Sequence, residues 1–505
     1  MPAPRADGRA ARAIAAALAI VALVLSPFAT ASAAVPGETT TVTKVAIVVP
    51  VLAPPRVAGL IPAEELVELT ATGGALARTL DAVAGERVTL AIDPLIAASI
   101  NALGTDAPAE AVAWAQRLDR LPHERFLLLT ADADPTLLRQ AGEPLPALGT
   151  VWTTPGTVSA TDVEAFSAAG ASRILVADTD LADVEDASLA VAAAGGVGLR
   201  VVDVEASDAL QAAAEAPSAA TLGALRQAIT GDGVRASIVV GLARSGAGWA
   251  GLEAVLDSLH SDLGLELVGL SGLSGETVDV AIAEGAQPEL RLEGFRQVVA
   301  AEQADAAFAA IMVDAADFRE ERRLRSYALA AAGWAADPAT WTVAADEAVE
   351  ASRTLRAGVR IEESESLFLA DRSSIPISIV NDLDRAVTVV VTARAADGRL
   401  DIDGTPVAVD IAAASRSSVA FDATAVSNGV VAVTARLTAV DGTPIGSPAI
   451  ARINVQAGWE TPIAAGAAGV LLLIVVLGIV RTVRRVRRTR AAEAAAAGSA
   501  GARDE

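Results

Sequence analysis

Carboxylates recur at the ends of short apolar runs in the first half of the chain. Asp93 follows the run 87–92, Asp132 and Asp134 follow 126–129, Asp178 and Asp180 follow 173–176, and Asp203 and Glu205 close 199–204. If those runs are parallel strands, their C-terminal ends form the rim where folds of that kind bind ligands. Two carboxyl groups at a suitable separation could perform glycosidic acid–base chemistry. A D-x-D pair such as Asp132 and Asp134 could hold a hard cation through oxygen. Asp93, Asp132, Asp134, Asp178 and Asp203 are therefore the candidate catalytic positions. A competing role is structural: an Asp just before a helix accepts its first free N–H groups, and Asp93-Pro94 and Asp134-Pro135 suit that role.

Two further segments reach the same rim. Trp152-Thr153-Thr154-Pro155-Gly156 follows the run 149–152, and Arg244-Ser245-Gly246-Ala247-Gly248-Trp249 follows 236–242. An exposed indole can stack on a sugar ring, and an arginine beside Gly-rich backbone suits a carboxylate or phosphate. Trp152, Arg244 and Trp249 are the candidate ligand-binding residues, with burial of both indoles where helix meets strand as the alternative.

Other chemistries are excluded by what is missing. The chain has no cysteine, which removes thiol nucleophiles, thiolate metal sites and disulfides. Its two histidines, His123 and His260, have no His partner at helical spacing, so neither a zinc hydrolase site nor a Ser-His-Asp triad is expected. No metal and no cofactor is expected. The first run, 45–51, leads into Pro50, Pro54 and Pro55 rather than a Gly-rich turn, so it offers no phosphate cradle. The net charge is −23 although both ends are basic, so nucleic acid is an unsuitable partner.

The elements that must position these residues follow from hydrophobic patterning. The runs 45–51, 87–92, 126–129, 149–152, 173–176, 199–204, 236–242 and 265–270 are mostly continuous, as in strands buried on both faces. Helix-like segments lie between them at 62–83, 108–121, 135–141, 160–169, 208–229 and 249–260. Eight strands with intervening helices predict an α/β fold over 44–275, a (β/α)8-like barrel that may be irregular. An open doubly wound sheet is the alternative. Residues 276–358 read as a helical segment that completes or braces the barrel, with Phe295, Phe308, Phe318, Trp334 and Trp341 as core anchors. Over 359–457, short β-rich runs are punctuated by Asn381-Asp382, Asp397-Gly398, Asn428-Gly429 and Asp441-Gly442, which predicts an immunoglobulin-like sandwich serving as a stalk.

The two termini predict topology. Arg5, Arg9 and Arg12, the apolar stretch 13–25 and Ala31-Ser32-Ala33 read as a cleaved signal peptide over 1–33. Residues 463–480 carry no charge and are long enough to cross a hydrocarbon core, with a transmembrane helix expected over 462–480. Arg481, Arg484, Arg485, Arg487, Arg488 and Arg490 follow at once, which places the tail, 481–505, in the cytoplasm and the bulk outside. From Ala491 on, the Ala, Gly and charged residues read as irregular tail.

Four stretches carry a resemblance: Val88-Thr89-Leu90-Ala91-Ile92-Asp93-Pro94-Leu95, Leu129-Thr130-Ala131-Asp132-Ala133-Asp134, Val151-Trp152 through Gly156, and Ser374-Ile375-Pro376-Ile377-Ser378-Ile379-Val380-Asn381-Asp382-Leu383-Asp384. In that order they resemble an uncharacterised actinobacterial family, a domain of unknown function found in signal-peptide-bearing, single-pass cell-envelope proteins. The resemblance implies a barrel distantly similar to polysaccharide deacetylases and glycoside hydrolases. It also implies a link to the flippase for lipid-linked peptidoglycan precursors. The family's Pro-Tyr-Ala-Asp-Pro-Asp segment is altered here, with Thr130 and Ala133 replacing its aromatic and second proline. The β-domain that often precedes the barrel is also not expected, and the histidines of a deacetylase-like metal site are missing.

The leading expectation is an exported, non-catalytic barrel that binds a cell-wall glycan or an envelope membrane protein, accessory to precursor export or wall assembly. The alternatives are a glycan-active hydrolase using the rim carboxylates and a structural subunit of a membrane complex.

Overall fold

A computed structural model describes residues 42–182, 190–231, 235–246, 248–273, 277–362, 365–368, 372–455 and 460–498. The expected signal peptide lies outside them.

The eight apolar runs all become strands: β1 (Thr43–Val51), β2 (Thr89–Ile92), β3 (Glu124–Leu127), β4 (Thr150–Trp152), β5 (Arg173–Ala177), then, after the short β6 (Leu181–Ala182) and β7 (Val191–Ala194), β8 (Val197–Val202), β9 (Ser237–Gly241) and β10 (Leu265–Val268). Parallel pairing runs β4–β5–β8–β9–β1–β2–β3. The expected eight-stranded ring is only partly realised. β9 pairs directly with β1, while β10 pairs with Thr43–Ala46 of β1 and β2 takes Val48–Val51. The reason is length: β1 has nine residues and β10 four, so one long strand serves two short neighbours end to end. No ladder joins β3 to β4 among the described residues, and this junction is called the seam below.

Side-chain alternation shows how the sheet curls. Ala46 and Val48 of β1 enter an inner cluster with Ala91, Phe126, Leu128, Trp152, Leu175, Val202, Val239 and Val268. Val45, Ile47, Val49 and Val51 point the other way, into the outer helices. Those helices are α1 (Ala63–Thr70), α2 (Ala75–Val83), α3 (Pro94–Leu103) and α4 (Ala109–Arg120), then, after α5 (Pro135–Ala141) and α6 (Ala160–Ala168), α7 (Val204–Glu215), α8 (Ala219–Thr230) and α9 (Leu252–His260). Two ion pairs bridge the seam where hydrogen bonds do not. At the strands' N-terminal side, Arg173 of β5 donates to Glu124 of β3 at 3.0 Å. At the C-terminal side, Arg244 donates to Asp132 at 3.1 Å.

Past two peripheral strands, β11 (Val278–Asp279) and β12 (Ala281–Ile282), three long helices follow: α10 (Glu289–Phe308), α11 (Ala315–Leu329) and α12 (Pro338–Ala357). They bury Phe295, Trp334 and Trp341 against Leu137 and Leu138 of α5. Both indoles donate to carbonyls of this layer, Trp334 to Ala328 and Trp341 to Leu329, so these aromatics are core anchors. Asp305, wholly buried on α10, is held by Arg322 of α11 at 2.7 Å and Arg356 of α12 at 2.6 Å. Phe308 and Phe318 point instead into the following domain.

That domain is built from β13 (Val359–Ile361), β14 (Glu365–Phe368), β15 (Arg372–Asn381), β16 (Val387–Ala395), β17 (Leu400–Ile402), β18 (Val407–Ile411), β19 (Ser415–Ala425), β20 (Gly429–Thr438) and β21 (Pro444–Val455). Two sheets, β13–β15–β19–β17 and β14–β21–β20–β16–β18, close over one apolar core; all pairs are antiparallel except β14–β21. Strict alternation in β19 and β20 (Val419, Phe421 and Ala423; Val431, Val433, Ala435 and Leu437 inward) is what a half-solvated sheet requires. With no disulfide, packing alone holds it.

The last element, α13 (Glu460–Gly498), contains one segment long and apolar enough to span a membrane. Val470 to Val476 are each at least half exposed, with no stripe turned to a core. The helix runs on to Gly498, further than the irregular tail expected from Ala491. Alanine, which dominates 491–497, is the strongest helix former.

Candidate functional site

The strand-end acids divide into two corners. The first gathers Asp93, Asp132 and Asp134 at the ends of β2 and β3. Asp93 caps α3, accepting from Leu95 N–H at 2.8 Å, and also accepts from Ala131 N–H at 2.9 Å. Asp134 caps α5 and is wholly buried; it accepts from Thr136 and Leu137 N–H, from Thr154 Oγ1 at 3.1 Å and from Gln287 Nε2 at 2.8 Å. Between them Ala131 and Asp132 adopt left-handed backbone angles, φ 60° and 51°. For residues other than glycine this costs about 1 kcal/mol or more each. The turn aims the Ala131 N–H at Asp93 and the Asp132 carboxylate at Arg244.

Arg244 knits this corner to β4. One Nη donates to Asp132 and, at 3.0 Å, to the Trp152 carbonyl; the other donates to Thr154 Oγ1 at 3.1 Å. Its guanidinium lies 5.2 Å from the centre of the Trp152 ring. The ring itself is packed too closely against Gly241 to admit a Cβ there, which would stand 2.6 Å from Cζ2. Trp152 is therefore not an open stacking platform for a sugar. Trp249, the other indole, lies elsewhere: it is buried among the outer helices and donates to Gln211 at 2.9 Å. The structure joins Arg244 and Trp152 and leaves Trp249 out.

Burial dominates the electrostatics of this corner. It pushes Asp93 up to about 7, against hydrogen bonds from Leu95 and with help from the Asp132 charge. It pushes Asp132 up to about 6, opposed by Arg244 and reinforced by Asp134. Asp132 Oδ2 is buried and has no hydrogen-bond partner among the described residues. The void that Asp93 and Asp132 share with Arg244 measures about 10 Å³, room for one water molecule.

The second corner holds Asp178, Asp180 and Asp203 at the ends of β5 and β8. Their partners are mostly backbone. Asp180 accepts from Gly156 N–H at 2.7 Å and Ala177 N–H at 3.0 Å, and Asp178 from Thr179 and Val204 N–H. Asp203 caps α7 through Ala206 N–H and accepts from Arg235 at 2.6 Å. Burial raises Asp180 to about 6 and raises Asp178 as well. Glu205 is exposed. His123 is half-buried against the Val83 carbonyl, and His260 is an exposed partner of Glu86. Among the described residues no group of three metal-ligating side chains exists.

A feature not anticipated from sequence covers the first corner. Residues 330–333, between α11 and α12, lie across the strand ends. Ala331 bridges to Ala133, and the Ala330 carbonyl accepts from Asp134 N–H at 2.9 Å. Arg291, buried in the first turn of α10, holds the Ala331 carbonyl at 2.8 Å. Gly333 is obligatory, since a Cβ would collide with the Arg244 carbonyl. The signal that could have found this plug is Arg291 itself, a cation in a helix first turn, where an acid is favoured. Beside the plug, a 260 Å³ pocket is lined by Trp152, Thr154, Ser207, Gln211, Arg244 and Ala336.

The fold and site therefore define a protein with a parallel-sheet α/β core, sandwich-like antiparallel sheets and one helix long and apolar enough to cross a membrane. The chain belongs to a family of unknown function (DUF6049), whose model matches residues 152–497. No curated protein matches it significantly. Among solved structures, an α-amylase, AmyC of Thermotoga maritima, aligns over 62% of this chain and 92% of its own, at 10% identity and TM-score 0.39. WR4, an MSP family member of C. elegans, aligns over 20% of this chain and 98% of its own, at 10% identity and TM-score 0.16. A portion of E. coli alpha-2-macroglobulin aligns over 20% of this chain and 16% of its own, at 19% identity and TM-score 0.17.

Proposed function

We propose that the protein is a cell-envelope recognition module: an exported, irregular (β/α) barrel carried on a sandwich stalk by one membrane helix, its arginine-rich tail cytoplasmic. The barrel binds its ligand, a wall glycan or an envelope protein, without chemistry. A flippase for lipid-linked precursors is one membrane partner that the family resemblance suggests. The observation that carries this reading is that the rim acids are already in use. Asp93, Asp134, Asp178, Asp180 and Asp203 each accept backbone N–H groups, and residues 330–333 cover the first corner.

A hydrolase is favoured by one fact, the neighbouring carboxyls of Asp93 and Asp132 raised to about 7 and about 6. Such a pair resembles an acid–base couple. Size argues against it: glycosidic catalysis needs a sugar between the two acids, and their shared void is about 10 Å³. The test is incubation of the full chain in detergent with muropeptides and wall polysaccharides, alongside Asp132→Asn. Saturable binding without product is expected. Product formation abolished by Asp132→Asn would sink the recognition reading.

A further inference from the structure

Among the described residues, no strand pairs with the β3 and β4 edges that face the seam. Leu128 N–H bonds to Ile92 of β2, so by parallel-strand alternation the main-chain groups of Arg125 and Leu127 face away from β2, into the seam. Thr153 N–H bonds to Leu175 of β5, so those of Thr150 and Trp152 face the seam from the other side. The Trp152 carbonyl is taken by Arg244, the guanidinium standing where a neighbouring strand's N–H would. Both edges, with Arg244, line one cleft of about 520 Å³. Most proteins cover or shorten such edges; here Leu127 remains 63% exposed on its edge. The cleft also carries a positive balance. Asp132 is the one acid among its described lining residues and is engaged by Arg244, whereas the exposed Arg125 has a backbone carbonyl, that of Leu121, as its hydrogen-bond partner.

We propose that this seam binds an extended polypeptide segment of a partner protein, which pairs through its main chain with β3 and β4 and places an acidic side chain against Arg125. The occupant is a peptide because the unused groups are alternating amides and carbonyls at strand spacing, which an extended backbone matches. The proposal rests on the reading of the exported domain as a recognition module and names the partner class as protein.

The test uses the full chain in detergent micelles and a synthetic octapeptide of alternating Val and Thr with one central Asp. Two matched peptides accompany it, one N-methylated at alternate amides and one with Lys in place of Asp. Hydrogen exchange is read at the amides of Arg125, Leu127 and Thr150. The Asp peptide is expected to slow these amides about tenfold or more, and the N-methylated peptide to have no effect. Arg125→Glu, an exposed change, is expected to transfer the preference to the Lys peptide. Protection by neither charged peptide, equal protection by the N-methylated one, or an unchanged preference in Arg125→Glu overturns the proposal. Muropeptide turnover on the same sample separates the two readings: glycan binding without peptide protection removes the seam and keeps the recognition module, whereas turnover lost in Asp132→Asn removes the module whatever the seam does.

Discussion

The two acid corners of the α/β domain use the same residue type at the same kind of position and reach different electrostatic solutions. Around Asp178, Asp180 and Asp203, each acid meets one donor within three residues and another 24 to 32 residues away, and no described residue other than glycine has left-handed angles. Around Asp93, Asp132 and Asp134, donors come from far along the chain: Arg244 to Asp132 and Gln287 to Asp134. Two consecutive residues there, Ala131 and Asp132, are held in left-handed conformation. One carboxylate oxygen stays unmatched. Local donors satisfy an acid cheaply, whereas distant ones do so only if the tertiary structure holds them in place. The first corner therefore depends on contacts of longer range, 112 and 153 residues against at most 32.

The largest expected effect sharpens that contrast. Arg244→Ala leaves Asp132 buried and uncompensated and severs the upper bridge of the seam, so a loss of about 3–5 kcal/mol is expected in chemical denaturation. Asp132→Asn in the same background should recover much of it. If the single variant loses under about 1 kcal/mol, the seam is not held by this pair.

Titration is the next test. Asp93 holds its proton in the fold until about pH 7, whereas the unfolded carboxyl releases it near the ordinary value of 3.8. The folded state therefore binds more protons between those pH values, and stability is full below about 4 and falls as pH rises through 7. Asp93→Asn keeps an oxygen to accept from Leu95 and Ala131 and should flatten that fall, by about 2–4 kcal/mol across the window. Melting temperature against pH reads it out; an unchanged slope would mean that Asp93 ionises normally.

The second corner should respond least. Asp203→Ala removes a helix cap and the ion-pair partner of the partly exposed Arg235, and is expected to cost about 1–2 kcal/mol by denaturation, less than Arg244→Ala. A larger loss than Arg244→Ala would reverse the ranking of the two corners.

Much of this is legible in the sequence. The eight apolar runs are strands, Asp93 and Asp134 cap the helices that begin with Pro94 and Pro135, and the turn pairs of the C-terminal half bracket sandwich strands. All of these are local: period, cap and turn chemistry act within a few residues. The apolar stretch after Thr461 likewise reads as a spanning helix from composition alone.

What sequence could not determine is who meets whom. Nothing local says that β10 shares β1 with β2 instead of closing a ring, since that depends on the relative lengths of strands some 220 residues apart. Nor does it say that Arg244 bridges Asp132 and Trp152, or that residues 330–333 cover the first corner. Trp152 ends one apolar run and Trp249 lies in the segment after another, yet one joins the seam and the other the helical shell. Short-range preferences decide the elements because their energies depend on neighbours in the chain. The carboxylates' roles depend on desolvation and on charges brought from distant segments, which exist only once the sheet has curled and the long helices have packed against it.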